Sequence, residues 1–174
     1  MEDLELRELS GRPPEVEAIQ RVLEEAPEYH FRVFGRRPAP DAAKDLFAFL
    51  PPFLTHADKY VFGIFHEGRM IGFLSLVRHH PRPNTIHLHQ FVLEEGSQHR
   101  GLGTRAFGLL LQRLPPGPHG MHLRVEVPRS NLRVSKFLTR VGFVPTGEVV
   151  PAPGPDKHAV SEVFRCALPS AERP

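Results

Sequence analysis

A single cysteine, Cys166, occurs among the 174 residues, so the chain has no internal disulfide and no thiolate cluster for zinc. A reducing, cytoplasmic compartment is the resulting expectation. No apolar run approaches the roughly eighteen residues that cross a bilayer, which excludes a membrane-spanning helix. Neither sign of charge dominates: 22 Lys+Arg stand against 20 Asp+Glu, a formal charge of +2, and the basic residues are dispersed. Nucleic acid is therefore not the default partner. With 40% hydrophobic and 24% charged residues, the composition is that of a globular protein rather than a disordered or collagen-like one. The length suits one domain, large enough to bury a core. The opening MEDLELREL is acidic and alternates apolar with charged residues, unlike a secretory leader, and reads as a strand.

Histidine and proline are abundant instead, with 11 and 19 copies. They are scattered, and no His pair has the spacing plus partner carboxylate of a metal site. His87-Leu88-His89 comes nearest, since residues two apart on a strand share a side. No metal is expected.

Leu4, Leu6 and Leu9 recur with a period near two until SGRPP breaks the run. Val16, Ile19, Val22, Leu23 and Ala26 then recur at helical spacing up to Pro27. A second helix is expected from Asp41, at its N-cap, through Leu46, Phe47 and Leu50 to Pro51-Pro52. Between the two, PEYHFRVFGRRPAP reads as a loop rich in aromatics. YVFGIFH and MIGFLSLVRHH form a hairpin closed by Glu67-Gly68-Arg69, and TIHLHQFVLEE is the next strand. GLGTRAFGLLLQRL carries Leu102, Ala106, Leu109, Leu110 and Leu114 at helical spacing before PPGPHG. MHLRVEV is a strand, NLRVSKFLTRVGF a helix from an Asn N-cap to Gly142, and PTGEVV a short strand. AVSEVFRCAL is the last strand, entered through PAPGPDKH. The order is that of an α/β chain with a mixed sheet, a single domain over 1–169 with a frayed tail, SAERP, over 170–174.

Gln98-His99-Arg100-Gly101-Leu102-Gly103-Thr104 lies between the strand ending near Leu93 and the helix ending at Leu114. Two glycines let a backbone approach a ligand closely, and a helix opening there presents unpaired amides at its positive end. That is an anion site, most naturally for a pyrophosphate, although a plain strand-to-helix turn would use the same glycines. A P-loop would need a Lys after the glycines, and none is present there. A dinucleotide fold would place GxGxxG after the first strand, whereas here Ala106 stands third and the motif comes after the fourth strand.

Q-x-x-G-x-G, Gln98 to Gly103, resembles the acetyl-CoA signature of the GNAT acetyltransferase superfamily. Asn131, Val134, Phe137, Gly142 and Phe143 fall where that superfamily often has N-x-x-A-x-x-F-Y-x-x-x-G-F. The resemblance implies a single-domain GNAT-like fold, a twisted, mostly antiparallel sheet of about seven strands flanked by about four helices. It implies that the amides of Arg100, Gly101, Gly103 and Thr104, with Gln98, His99 and Leu102, hold the pyrophosphate of acetyl-CoA. The strand edge at Phe91, Val92 and Leu93 would bond the acetyl carbonyl and pantetheine amides. Asn131 and Ser135 would lie on the pantetheine side, with Phe137 and Phe143 packed around it, though core packing is the main role expected of Val134, Phe137 and Phe143.

Acyl transfer to an amine needs a neutral nitrogen, so a base poised near pH 7 is useful, and His suits that task. Alternation puts His87, His89 and Phe91 on one strand face, with Ile86, Leu88, Gln90 and Val92 on the other. In the histone-acetylating branch a Glu base occupies the position matching His87, which makes His87 the leading base and His89 the second. Both also read as plain solvent-facing strand residues. Glu94 and Glu95 are further candidates for the base, and read first as loop-surface charges. The superfamily's usual proton donor, a Tyr on the last helix, is replaced by Leu138. Tyr29, in the aromatic loop bordering the acceptor, is the remaining donor, while Tyr60 starts a strand and Ser135 could act through water. Glu24, Glu25 and Glu28 before Tyr29, His30, Phe31 and Phe34 would draw a cationic amine, and His158 could touch it from the PAPGPDKH loop. The implied activity is N-acetyl transfer from acetyl-CoA to a primary amine of a small molecule or protein, by direct attack in a ternary complex. The alternative is a non-catalytic acyl-CoA-binding regulatory module. The expected partners are acetyl-CoA and an amine, with a homodimer open and neither nucleic acid nor membrane.

Overall fold

Seven apolar-patterned segments form one sheet in the computed structural model, which describes residues 3–114, 117 and 120–169. In chain order the elements are β1 (Leu4–Glu8), α1 (Pro13–Glu24), α2 (Pro27–Phe34), α3 (Ala42–Ala48), β2 (Lys59–His66) and β3 (Arg69–Arg78). Next come β4 (Thr85–Leu93), α4 (Leu102–Arg113), β5 (His122–Pro128), α5 (Leu132–Arg140), β6 (Val144–Pro151) and β7 (Val160–Ala167). The strands lie in the order β1-β2-β3-β4-β5-β7-β6, and β4 with β5 is the parallel pair in an otherwise antiparallel sheet. The expected α/β architecture with a mostly antiparallel sheet is found. The tail 170–174 lies outside the described residues.

One element differs from the sequence reading. The aromatic segment after Pro27 is a helix, α2, where a loop was expected. Pro27 ends one helix and supplies the fixed φ that starts the next. Tyr29, His30 and Phe34 pack ring against ring, with centroids 5.0–6.3 Å apart, and Gly35 closes the helix at φ 69°. The described residues thus hold five α-helices, where about four were expected.

Helices cover both faces of the sheet. Leu74, Leu76, Ile86 and Leu88 pack with Leu102, Phe107 and Leu110 of α4, and with Leu138 and Phe143. On the opposite face Val61, Phe73 and Val92 lie with Ile19, Val22 and Leu23 of α1 and Leu46 of α3. Each fully buried aliphatic side chain contributes about 1.5–3 kcal/mol relative to exposure, so these two layers fix where β4 can sit.

Two irregularities of β4 shape the space beside it. Its pairing with β5 covers Thr85, Ile86 and His87, opposite His122, Leu123 and Arg124. Beyond His87 no β5 residue is paired with β4, and a wedge opens between the strands. Against β3, Leu76 faces Leu88 while Ser75 faces Gln90, so His89 is the extra residue of a β-bulge. The bulge inverts the alternation. Phe91 and Leu93 join the α4 face with Ile86 and Leu88, and Val92 joins the α1 face. The expected grouping of Phe91 with His87 and His89, and of Val92 with Ile86 and Leu88, is therefore corrected.

Candidate active site

The chain leaves β4 through a tight turn that a buried carboxylate secures. Glu94 receives Arg69 at 2.5 Å, Ser97 Oγ at 2.9 Å and Arg21 at 3.1 Å. Burial alone would raise its pKa, but the Arg69, Ser97 and Arg21 hydrogen bonds outweigh it and hold it at about 2. Glu94 is a structural anchor, not the surface charge expected. Glu95 is exposed and accepts the Glu28 amide at 3.3 Å.

Gln98 then ties the turn in two directions. Its Nε2 donates to the Leu93 carbonyl at 2.8 Å, and its Oε1 accepts from Arg133 of α5 at 2.9 Å. The Arg133 guanidinium also reaches the His99 ring. His99 at φ 60° and Gly101 at φ 75° turn the chain into α4. The first intrahelical donor is the Arg105 amide, bonded to the Gly101 carbonyl at 3.2 Å. The amides of Leu102, Gly103 and Thr104 precede it, have no carbonyl one turn back, and form the positive end of the helix dipole. A Cβ on Gly103 would lie 3.5 Å from Leu93 and 3.6 Å from Phe137, so the glycine leaves the width of a methyl on this wall. Leu102 buries its side chain in the core and can offer only its amide. Arg100 is exposed and lies off the cleft wall.

The wedge between β4 and β5 opens into a cleft of about 1260 Å³. Phe91, Leu93, Gln98, Gly103, Thr104 and Phe137 line the half next to the turn. Phe91 meets Phe137 edge to face at 5.7 Å. Asn131 is buried at the start of α5, where its Oδ1 accepts the Val134 amide at 3.5 Å, and it too faces the cleft. Ser135 does not. It lines a separate depression with Leu132, Thr139, Pro145 and Phe164, because α5 turns it away from Phe137. Leu138 packs into the core cluster.

His80, His87, His89, Tyr29, Phe49 and Lys59 line the other half. His87 and His89 stack with ring centroids 4.0 Å apart, and His80 lies 5.6 and 5.8 Å from them. Burial pushes the His87 and His89 imidazoles down to about 3, helped by neighbouring rings and, at His87, by Arg124. Neither is the solvent-facing strand residue that alternation alone suggests, and neither is poised near pH 7. Burial also lowers Lys59 to about 8, and its ammonium meets the Leu46 and Phe49 carbonyls that end α3. Tyr29, half-buried beside Gln90, is pushed up to about 12 and keeps its proton. Tyr60 packs against the core.

The acidic rim is dispersed. Glu28 reaches the cleft, whereas Glu25 pairs with Arg21 and Arg69 and Glu24 accepts from Gln20. Pro151, Ala152 and Pro153 border the cleft, and His158 lies off its wall. Sequence reasoning missed Arg133, Lys59 and His80. Arg133 sits one turn N-terminal to Phe137 on the same helix side, a spacing that could have marked it. His80 reaches the strand pair only through the hairpin's return, which no local pattern encodes.

A family model described as the acetyltransferase (GNAT) family matches residues 18–143. No curated protein matches the chain. Among solved structures, an acetyltransferase from Thermus thermophilus is similar at 21% identity and a TM-score of 0.70, covering 93% of this chain and 95% of that one. AAC(6')-Ib in complex with paromomycin and acetyl-CoA is similar at 17% identity and a TM-score of 0.72, covering 94% and 93%. A chimera of the spermidine N-acetyltransferase SpeG from Vibrio cholerae is similar at 15% identity and a TM-score of 0.69, covering 94% of each. These likenesses show that the fold is shared.

Proposed function

Since the chain belongs to the acetyltransferase (GNAT) family, we propose that it moves an acetyl group from acetyl-CoA to a primary amine. The observation that carries the reading is the coincidence, at one end of a single cleft, of a strand edge without a partner and a helix N-terminus with free amides. The fit is physical. A pyrophosphate suits the amides of Gly101, Leu102, Gly103 and Thr104, where charge and dipole agree and Gly103 carries no side chain. A chain of alternating amides suits the β4 edge at Phe91, Val92 and Leu93, which can bond it as a neighbouring strand would. Asn131 and Phe137 flank that path, and Gln98, His99 and Arg133 brace the turn.

Acetyl-CoA supplies a carbonyl carbon open to attack and a thiolate that can leave. The protein's own groups would do the rest. A donor amide on β4 polarises the carbonyl oxygen. His87 and His89 are neutral at pH 7 and too weak to strip an ammonium ion. They accept a hydrogen bond from an amine that arrives neutral, and so orient its lone pair. Tyr29, protonated over the whole physiological range, would give its proton to the departing sulfur and regain one from the attacking nitrogen, which sheds it as the amide forms.

Glu28, Asp45 and Glu126 face the cleft together with Tyr29, Phe34 and Phe49, which favours a cationic acceptor. Two structural neighbours carry aminoglycoside and spermidine acetyltransferase names, consistent with such a class. The deciding experiment is thermal unfolding with acetyl-CoA, CoA, ATP and NAD added separately, and then thiol release across a panel of amines. A ligand at a hundredfold its Kd adds about 2.7 kcal/mol. Stabilisation by acetyl-CoA and CoA alone, then thiol release with an amine, supports the reading. No stabilisation refutes it. One observation favours a second reading: Leu138 is buried in the core where a relative would present a hydroxyl, as a non-catalytic acyl-CoA sensor could. Binding without turnover on any amine would select it.

A further inference from the structure

The hairpin return before β4 brings a third imidazole to the two on the strand. His80 is held there by its amide, which donates to the Thr85 carbonyl at 3.3 Å. One ring nitrogen from each of His80, His87 and His89 lies within 4.8 Å of the others. We propose that these three histidines form a binding site for one divalent first-row transition-metal ion, such as Zn2+, with its open coordination position facing the cleft.

Four observations support the assignment. His87 Nδ1 and His89 Nε2 are buried with no hydrogen-bond partner, so each of the two rings carries an uncommitted nitrogen. Buried polar atoms are ordinarily paired, and an ion would satisfy both at once. The three rings are imidazoles without a carboxylate among them, a donor set that suits Zn2+, Co2+, Ni2+ or Cu2+ and not Mg2+ or Ca2+. A metal takes the neutral ring, and burial already favours that form of all three. The neighbouring charges are also compatible. Arg124 is engaged by Glu126 at 2.9 Å and Glu148 at 2.8 Å, Lys59 is turned onto the α3 carbonyls, and Glu126 contributes a negative charge from across the wedge.

Three protein nitrogens and one open position match the arrangement of a site that keeps an exchangeable ligand. The rings lie in nearly parallel planes, 5° to 22° apart. Loading therefore tilts them until the lone pairs converge at about 2.0–2.1 Å from the ion. No hydrogen bond on the two buried nitrogens opposes that rotation. His80 is half-buried and gives the ion its way in. The site would stand in the half of the cleft away from the α4 N-terminus, so its occupancy is separate from cofactor binding, and a bound ion would replace the hydrogen bond that the metal-free rings offer the amine.

The test uses the full chain stripped with EDTA and needs neither acetyl-CoA nor an amine, so its failure leaves the acetyltransferase reading untouched. Calorimetric titration with Zn2+ should give one ion per chain, and Co2+ should give the intense visible bands of four-coordinate nitrogen ligation. His80→Ala, His87→Ala and His89→Ala should each weaken binding at least tenfold. His56→Ala and His158→Ala, exposed and outside the cluster, should leave it unchanged. Because His87 is buried, His80→Ala is the deciding variant, with its circular dichroism matched to the parent. Sub-stoichiometric binding, six-coordinate Co2+ spectra, or an affinity indifferent to His80→Ala would overturn the proposal.

Discussion

Replacing Glu94 with Gln removes one buried charge and keeps the shape of the side chain. The carboxyl is held at about 2 against an ordinary 4.5. At about 1.4 kcal/mol for each tenfold in proton affinity, the ceiling on its contribution is about 3 kcal/mol at neutral pH. Arg69 is 51% exposed, and solvent screening there lowers the expectation to about 2 kcal/mol. The direction of the shift sets the sign. The folded chain binds this proton more weakly than the unfolded chain, so the stabilisation is complete above about pH 5.5 and shrinks as the pH falls through 4.5 toward 2. Urea unfolding should separate parent and Glu94→Gln by about 2 kcal/mol at pH 7, equivalent to a Tm difference of about 4–8 °C. At pH 3 less than half of that gap should remain. Ser97 donates to the same carboxylate in the turn that leads to Gln98, so acetyl-CoA should also bind the variant more weakly. Equal stabilities at pH 7, or a gap undiminished at pH 3, would refute the reasoning.

Gly103→Val should fold, since its Cβ meets Leu93 and Phe137 at ordinary contact distances, with a stability cost under about 1 kcal/mol. It should lose the thermal stabilisation by acetyl-CoA, and a normal shift would remove the α4 N-terminus as the pyrophosphate site. Arg133→Ala frees Gln98 and His99, and because the guanidinium is exposed the loss should be about 1 kcal/mol, a three- to tenfold rise in the Kd of acetyl-CoA by calorimetry. In chelator, kcat/KM between pH 6 and 9 should track the acceptor amine's own deprotonation and keep its profile in His87→Ala, at lower rate. An inflection near 6.5 that disappears with His87→Ala would contradict an imidazole pushed down to about 3.

The letters carried the elements whose signals are local. Helical spacing from Leu102 to Leu110 and the glycines before it located α4, and Asn131 marked the start of α5. The turn from Gln98 to Thr104 and the end of β4 were legible together because they form one continuous stretch of chain. The letters failed where a non-local contact decided. The bulge at His89 arises from how β3 and β4 register, and it moved Phe91 to the opposite face. Glu94 is buried because Arg21 and Arg69, from α1 and β3, converge on it. Ser135, expected on the pantetheine side, lies on another side of α5 and lines a separate depression. The half of the cleft away from α4 gathers side chains from α2, α3, β2, the hairpin return and β5, and no pattern in any one of them reveals the assembly.

The three-residue pairing of β4 with β5 bears on solubility as well as on ligand binding. A sheet edge with free amides and carbonyls is ordinarily a hazard, since a stray strand from another molecule can zip onto it. Here those groups line the inside of a wedge whose far wall is the same polypeptide. A second protein strand would need room for side chains on both of its faces, and Phe91, Phe137 and Val125 stand on the walls where those side chains would have to fit. A thin, unbranched chain of amides has no such requirement. The consequence expected of such a gap is a size filter, with edge hydrogen bonding available to a thin ligand and closed to a stray strand.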